Sequence, residues 1–199
     1  MDTLDSIAAA AITQIPGGCR FSAADAEQIA RYRDELLSLT PELVQEFYDT
    51  LFDHPETAAI FGPGERATQE QTLTGWWRRT IAEPIDARYW SWMALIRLVH
   101  VDRNDVNTKM LSMKEIFVRF EGRRVRELIV DEAEAGRLVE ALRRLTSTAG
   151  AIITHSFDVA VRSSLFEVAG IPQALLERMR DQEVNQAIVA ARGRPATRP

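Results

Sequence analysis

The sequence has very little cysteine and no long apolar run. Cys19 is the single cysteine among 199 residues, which excludes an internal disulfide framework and is typical of a reducing compartment. No segment approaches the roughly 18 consecutive apolar residues that a membrane helix needs. Asp2 and Asp5 stand where a secretory signal would carry Lys or Arg. We therefore predict a cytoplasmic protein that contacts no membrane.

Excess positive charge and strand signals are missing as well. The net charge of −5 provides no electrostatic footprint for nucleic acid, so we expect none as a partner. The chain lacks sustained alternation of apolar and polar residues and has no Asn-Gly or Asp-Gly hairpin turn. It also lacks a phosphate-binding glycine loop, an activated nucleophile and a metal-spaced group of Cys and His. These absences disfavour the common enzyme classes.

Helix start and stop signals are frequent and predict an all-α chain. Ser22 followed by Asp25 is an N-cap pattern for a helix reaching about Leu39, and Thr40-Pro41 opens a second helix. Further helices are predicted over residues 67–82, 85–100, 106–121, 136–169 and 172–191, with the arginine-rich residues 122–126 as a loop. We predict one domain of roughly eight helices. Its predicted parts are an extension (1–21), the domain (22–170), and a C-terminal helix with a disordered tail (171–199).

One helical face ends in a histidine. Tyr89, Met93, Ile96 and His100 recur at steps of four, three and four, so they share a largely apolar face with the imidazole at its end. A lone imidazole in such a position is usually an ordinary buried or half-buried histidine. The alternative is an axial ligand to haem iron, which needs a neutral imidazole on a rigid helix beside an apolar pocket. This pattern alone leaves both interpretations open.

Three segments resemble the protoglobin and globin-coupled-sensor branch of the globins. Residues 46–55 (EFYDTLFDHP) resemble its B helix, residues 73–77 (LTGWW) its E helix, and residues 89–100 the segment that ends in the proximal histidine. The resemblance covers about Ser22 to Gly170 and rests on the order and spacing of these segments. It implies an all-α globin fold with an extra N-terminal helix and a C-terminal extension helix. Arg97 and the arginines of residues 122–126 depart from the family pattern.

The resemblance implies a haem b cofactor whose iron is bound by His100 alone. Tyr48 shares an apolar helical face with Val44 and Leu51, and the resemblance makes it the distal residue, able to donate a hydrogen bond to a diatomic ligand. The alternative for Tyr48 is a phenol satisfied by a backbone carbonyl. The family spacing favours Trp77, while the sequence leaves open whether it or Trp76 faces the pocket. The predicted haem-contacting residues are Tyr48, Phe61, Leu73, Trp77, Met93, Ile96, His100, Val106, Met110 and Phe117.

These expectations describe a single-domain haem globin that reversibly binds O₂, CO or NO, as a gas sensor or a gas-binding protein. One alternative is a haem enzyme acting on NO, nitrite or peroxide, which is disfavoured because no distal acid–base pair is recognisable. The other is a haem-free globin-fold regulatory module. We expect a binding protein rather than an enzyme. The resemblance also implies a homodimer, with Val161, Leu165 and Val168 near its two-fold contact.

Overall fold

The computed structural model describes residues 3–102 and 107–192, without the side chains of residues 97, 100–102 and 107–111. Val106 and the predicted tail after residue 192 lie outside these residues. The chain divides into two compact units, one of residues 2–157 and one of residues 158–199. The predicted domain limits at residues 21 and 170 stay a prediction.

Ten α-helices and one 3-10 turn make up the secondary structure of the described residues, which contain no strand. The all-α globin fold is therefore confirmed in its secondary structure, with more helices than predicted. The helices are α1 (Leu4–Thr13), α2 (Ala23–Arg31), α3 (Arg33–Ser38), α4 (Thr40–Asp53), α5 (Pro55–Ala58), α6 (Arg66–Ala82), α7 (Ala87–Asp102), α8 (Asn107–Leu128), α9 (Glu132–Ala169) and α10 (Gln173–Arg192).

The N-terminal segment contains a helix that the sequence did not predict. Thr3 caps α1 by accepting a hydrogen bond from the Ser6 backbone, which satisfies one of the free amides of the first turn. Ile7, Ala8 and Ala11 are buried. Helix α1 packs against α7, the helix that carries His100. The small alanine side chains allow a close approach but form too weak a periodic stripe to identify the helix from sequence.

The predicted helix from Ser22 to Leu39 is two helices. Its start is confirmed, because Ser22 and Asp25 form a reciprocal capping box. Its continuity is wrong, because the backbone of Tyr32 leaves the helical region (φ −110°, ψ 26°) and separates α2 from α3. The Asp25 carboxylate is buried and accepts hydrogen bonds from Arg144 of α9, with an Nε–Oδ1 distance of 3.0 Å. This ion pair joins α2 to α9.

The predicted loop over residues 122–126 is also wrong, since α8 continues to Leu128. Phe117, Phe120 and Val125 are all buried, so the apolar face of the helix runs through the arginine-rich segment. Arg123 pairs with Glu46 and Arg124 with Glu42, both carboxylates of α4. The arginines therefore join α8 to α4, the helix that carries Phe47 and Tyr48.

The unit of residues 158–199 holds the end of α9 and all of α10. Gly170 adopts a left-handed backbone (φ +65°), and its amide donates to the Phe166 carbonyl at 3.0 Å, which ends α9 in an αL motif. Among the described residues, no single helix is long and apolar enough to cross a membrane.

We predict that Asp25→Asn destabilises the protein by roughly 2–3 kcal/mol at pH 7, because it removes charge-assisted hydrogen bonds from a buried position. Burial raises the pKa of Asp25, but hydrogen bonds from Arg144 and Ser22 outweigh it and hold that pKa below the ordinary 3.8. A lowered folded pKa means that the carboxylate stabilises the fold above pH 3.8 and loses this effect as the pH falls through the folded pKa.

Urea unfolding at pH 7 and pH 3 measures the effect. The difference between wild type and Asp25→Asn should shrink at the lower pH. Asp34→Asn, at an exposed carboxylate of α3, is the matched control. A difference between wild type and Asp25→Asn of the same size at both pH values contradicts the assignment.

Candidate functional site

A cavity of about 520 Å³, partly open to the surface, lies within the unit of residues 2–157. Helices α4, α6, α7, α8 and α9 all contribute to its wall, and most of the lining side chains are apolar or aromatic. Its volume falls in the range of small-molecule and cofactor sites, which are also mostly apolar with a few polar groups. This cavity is the candidate functional site.

Most of the predicted contact residues meet at this cavity. Met93 is fully buried but does not line it. The backbones of His100 and Met110 belong to α7 and α8, while their side chains, like all of Val106, lie outside the described residues. The predicted residues that line the cavity are Tyr48, Phe61, Leu73, Trp77, Ile96 and Phe117.

The face that α7 turns to the cavity differs from the predicted one by a small rotation. Tyr89, Trp92, Ile96 and Val99 line the cavity, at steps of three, four and three. The predicted face had Met93 in place of Trp92 and His100 in place of Val99, and the side chain of His100 lies outside the described residues. Because each residue advances a helix by about 100°, neighbouring positions can both belong to plausible apolar stripes. The periodicity alone could not choose between them.

Aromatic rings form the wall beside Tyr48. The Tyr48 ring is 5% exposed and meets Phe61 edge to face, with ring centroids 5.9 Å apart. Phe61 in turn stacks on Phe52 at 5.1 Å, and Phe47 contacts Phe117 of α8 at 4.9 Å. These contacts hold the Tyr48 ring from two sides and fix its place in the wall.

Both adjacent tryptophans line the cavity, so the choice between them does not arise. Trp77 is 1% exposed, and its indole Nε1 donates a hydrogen bond to the Leu36 carbonyl of α3 at 3.1 Å. Trp76 packs against Phe117, with ring centroids 5.1 Å apart. Trp77 thus anchors α6 to α3, while Trp76 continues the aromatic wall toward α8.

Several polar residues of the wall were not predicted. Gln69 and Lys114 line the cavity, and so does Glu121, whose side chain is buried. Burial raises the pKa of Glu121 to about 8. Tyr89 and Thr80 share a hydrogen bond of 3.1 Å between their hydroxyl oxygens, and burial raises the pKa of the Tyr89 phenol. Glu121 was not predicted to line the cavity, because the predicted helix ended at this residue and a carboxylate at a helix end is expected to meet solvent.

Metal-binding clusters were searched for in the same part of the chain. Within residues 3–102 and 107–192, no group of three or more His, Cys, Asp or Glu side chains could hold a metal ion. A haem iron has no need of such a cluster, because the porphyrin supplies four nitrogen ligands and the protein adds an axial one.

The arrangement of helices around the cavity is that of a globin. The chain is similar to the solved structure of the globin domain of the Geobacter sulfurreducens globin-coupled sensor, with a TM-score of 0.65 and 22% identity over 79% of this chain and 99% of that one. A sequence model described as Protoglobin matches residues 10–157. The chain therefore belongs to the protoglobin family. No curated protein matches it significantly.

Proposed function

We propose that this protein is a haem globin that reversibly binds a diatomic gas (O₂, CO or NO) and serves as a sensor or gas-binding protein. His100 is the sole protein ligand of the haem b iron in this proposal. The observation that carries it is the apolar cavity of a protoglobin-family chain, walled in part by α7, the helix on which His100 lies. A cytoplasmic location remains part of the proposal.

The residues around the cavity suit a flat apolar macrocycle. Trp76, Trp92 and Phe117 offer broad ring faces, and α7 is continuous from Ala87 to Asp102. His100 lies one turn after the lining residue Ile96 on the same helix and would be the residue that holds the haem iron. When bound, haem supplies the iron atom that takes up the gas.

Tyr48 is the proposed distal residue. Its ring is buried in the cavity wall and held by Phe61 and Phe47. A phenol in a largely apolar cavity can donate a hydrogen bond to the outer atom of a diatomic ligand, and this bond is worth more there than in water. The bond favours a ligand whose outer atom carries negative charge, so Tyr48 selects O₂ over CO.

The proposed homodimer uses the end of α9. Val161 and Val168 are 41% and 87% exposed in the single chain, and Leu165 lies between them along the helix. Exposed apolar side chains spaced along one helix suit a two-fold contact, because the same patch buries itself against its copy. The proposal places the contact there.

We predict that His100→Ala abolishes stable haem incorporation or leaves a loosely held haem with an altered spectrum. The absorbance spectrum of the purified protein and its pyridine haemochrome measure this, and the second identifies haem b. His155→Ala, at a half-buried histidine of α9 outside the cavity, is the control and should keep the wild-type spectrum.

Three outcomes contradict parts of this proposal. If His100→Ala keeps a normal spectrum while His155→Ala loses it, His100 is not the iron ligand. A wild-type protein that takes up no haem even from added haemin is a haem-free regulatory module. Net turnover of NO, nitrite or peroxide by the haem protein favours the enzyme instead.

We predict that Tyr48→Phe speeds O₂ dissociation roughly fivefold, since a lost hydrogen bond of about 1 kcal/mol corresponds to that factor. The ring remains, so the cavity keeps its volume, and CO dissociation should change less. Stopped-flow and flash-photolysis rates for both gases provide the measurement. Tyr32→Phe, which removes a hydroxyl outside the cavity, should leave both rates unchanged. Equal changes for O₂ and CO in Tyr48→Phe contradict a hydrogen bond from Tyr48.

We predict that wild type sediments as a dimer at tens of micromolar and that Leu165→Glu shifts it to the monomer, because a buried carboxylate cannot be paired across the contact. Val130→Glu, at an exposed apolar residue between α8 and α9, is the control and should stay dimeric. A wild-type monomer removes the dimer, and a dimeric Leu165→Glu variant moves its interface elsewhere.

A further inference from the structure

Lys114 is the one cation in the described wall of the cavity. It lies on α8, and its side chain is half-buried. The other charged residue of that wall is Glu121, seven positions later on the same helix, which is about 10 Å along the axis. Burial raises the pKa of Glu121 to about 8, so this carboxyl is mostly neutral at pH 7. The charge of Lys114 therefore has no match within the wall.

The described part of the chain offers Lys114 no carboxylate from behind the wall either. The ion pairs of α8 in that part belong to Arg123 and Arg124, which bind glutamates of α4 and of α8 itself. The residues that α9 adds to the wall are uncharged. The positions three and four residues away on α8, which a helix brings next to Lys114, are all apolar: Met110, Leu111, Phe117 and Val118. An anion that meets Lys114 must come from a ligand.

Most threonine hydroxyls of the wall are committed as donors. Each of four donates to a backbone carbonyl one turn earlier on its own helix, at 2.8 to 3.0 Å, and these are Thr72, Thr80, Thr146 and Thr154. A threonine has one hydroxyl proton, so none of the four can donate to a ligand as well. The Lys114 ammonium group brings three donors and a full charge. It is the group of the described wall that is suited to bind an anion.

The stem of Lys114 lies over Gly150 of α9. A Cβ atom placed on Gly150 would lie 3.2 Å from Lys114 Cδ, closer than an ordinary van der Waals contact. Gly150 stands inside the long helix α9, where glycine is less favourable than alanine. The missing side chain thus gives the Lys114 stem room at the place where α8 and α9 meet in the wall.

We propose that the Lys114 ammonium group binds a propionate carboxylate of haem and so fixes the orientation in which the cavity holds the cofactor. This inference rests on the proposed haem-binding function. Haem b carries both of its carboxylates on one edge of an otherwise apolar ring, so a single cation in the wall distinguishes that edge from the others. A hydrogen bond between an ammonium group and a carboxylate is charge-assisted and about twice as strong as a neutral one.

The test measures how fast ferric haemin leaves the protein for an excess of apomyoglobin. Lys114→Met removes the charge and keeps an unbranched stem, so the cavity keeps its shape. We expect this variant to lose haemin about tenfold faster than wild type, which corresponds to one charge-assisted hydrogen bond. Lys114→Arg keeps the charge and should stay closer to wild type. Arg119→Gln, at an exposed cation of α8 outside the wall, should lose haemin as wild type does.

Haemin dimethyl ester separates the effect of charge from the effect of packing, because both of its carboxyl groups are neutral. Wild type should lose the ester about tenfold faster than haemin, since the ester offers Lys114 no carboxylate. Lys114→Met should lose the ester and haemin at similar rates. A residue that only supports the wall changes the two rates by the same factor.

Gly150→Ala covers the case in which Lys114→Met fails to fold, because alanine is the better helix former. The added Cβ displaces the Lys114 stem, so haemin loss should rise several-fold while loss of the ester stays as in wild type. The inference is overturned if Lys114→Met keeps the wild-type ratio of the two rates, or if Gly150→Ala speeds both losses equally. A wild type that takes up no haemin overturns the haem proposal as well, and its spectrum shows this before any variant is made.

Discussion

The structure depends on keeping a cavity open inside a closely packed helical unit. Side chains around a void lose contacts on one side, so the wall collapses unless other interactions fix its position. Here the wall helices are fixed from behind. Trp77 bonds α6 to the Leu36 carbonyl of α3, and Arg144 ties α9 to Asp25 of α2. The cavity is preserved by contacts that lie mostly outside it.

The arginine-rich part of α8 belongs to the same scheme. Arg123 pairs with Glu46 and Arg124 pairs with Glu42. Both carboxylates lie on α4 within two turns before Phe47 and Tyr48. Partly exposed ion pairs contribute little to stability one at a time, but two side by side fix the orientation of a helix. The Phe47–Phe117 ring contact then closes the gap between the two helices on the cavity side. The wall beside Tyr48 is therefore held by ion pairs on its outer side and by ring packing on its cavity side.

The sequence predicted what local chemistry determines. Helices α4 and α6 begin within a residue of the predicted positions, because proline, threonine and glycine punctuate those segments. The prediction from sequence failed where the structure of a segment depends on residues that are distant in the chain. Residues 122–126 read as a loop because the carboxylates that pair with them lie some 80 positions earlier, and α1 was missed because its alanine face gains meaning only against α7.

The candidate site shows the same division. Of the predicted residues, Tyr48, Phe61, Trp77 and Phe117 line the cavity and Met93 does not, since a step of one residue turns a helix by about 100°. Glu121 lines the cavity but was not predicted, because the predicted helix ended there. A periodic pattern shows that a helix has an apolar face, but it does not distinguish that face from an adjacent one rotated by about 100°. Polar groups inside an apolar cavity are hard to predict because they break the pattern on which such predictions rest.

The packing of α1 on α7 has a practical consequence for handling the protein. Helix α1 starts at Leu4 and packs on α7, so a tag or reporter placed directly before Leu4 lies next to a helix that supports the cavity wall. An affinity tag or reporter fused there becomes a neighbour of α7 and is positioned to alter the property it was added to measure. Labels intended to be silent belong on surfaces remote from that pair of helices.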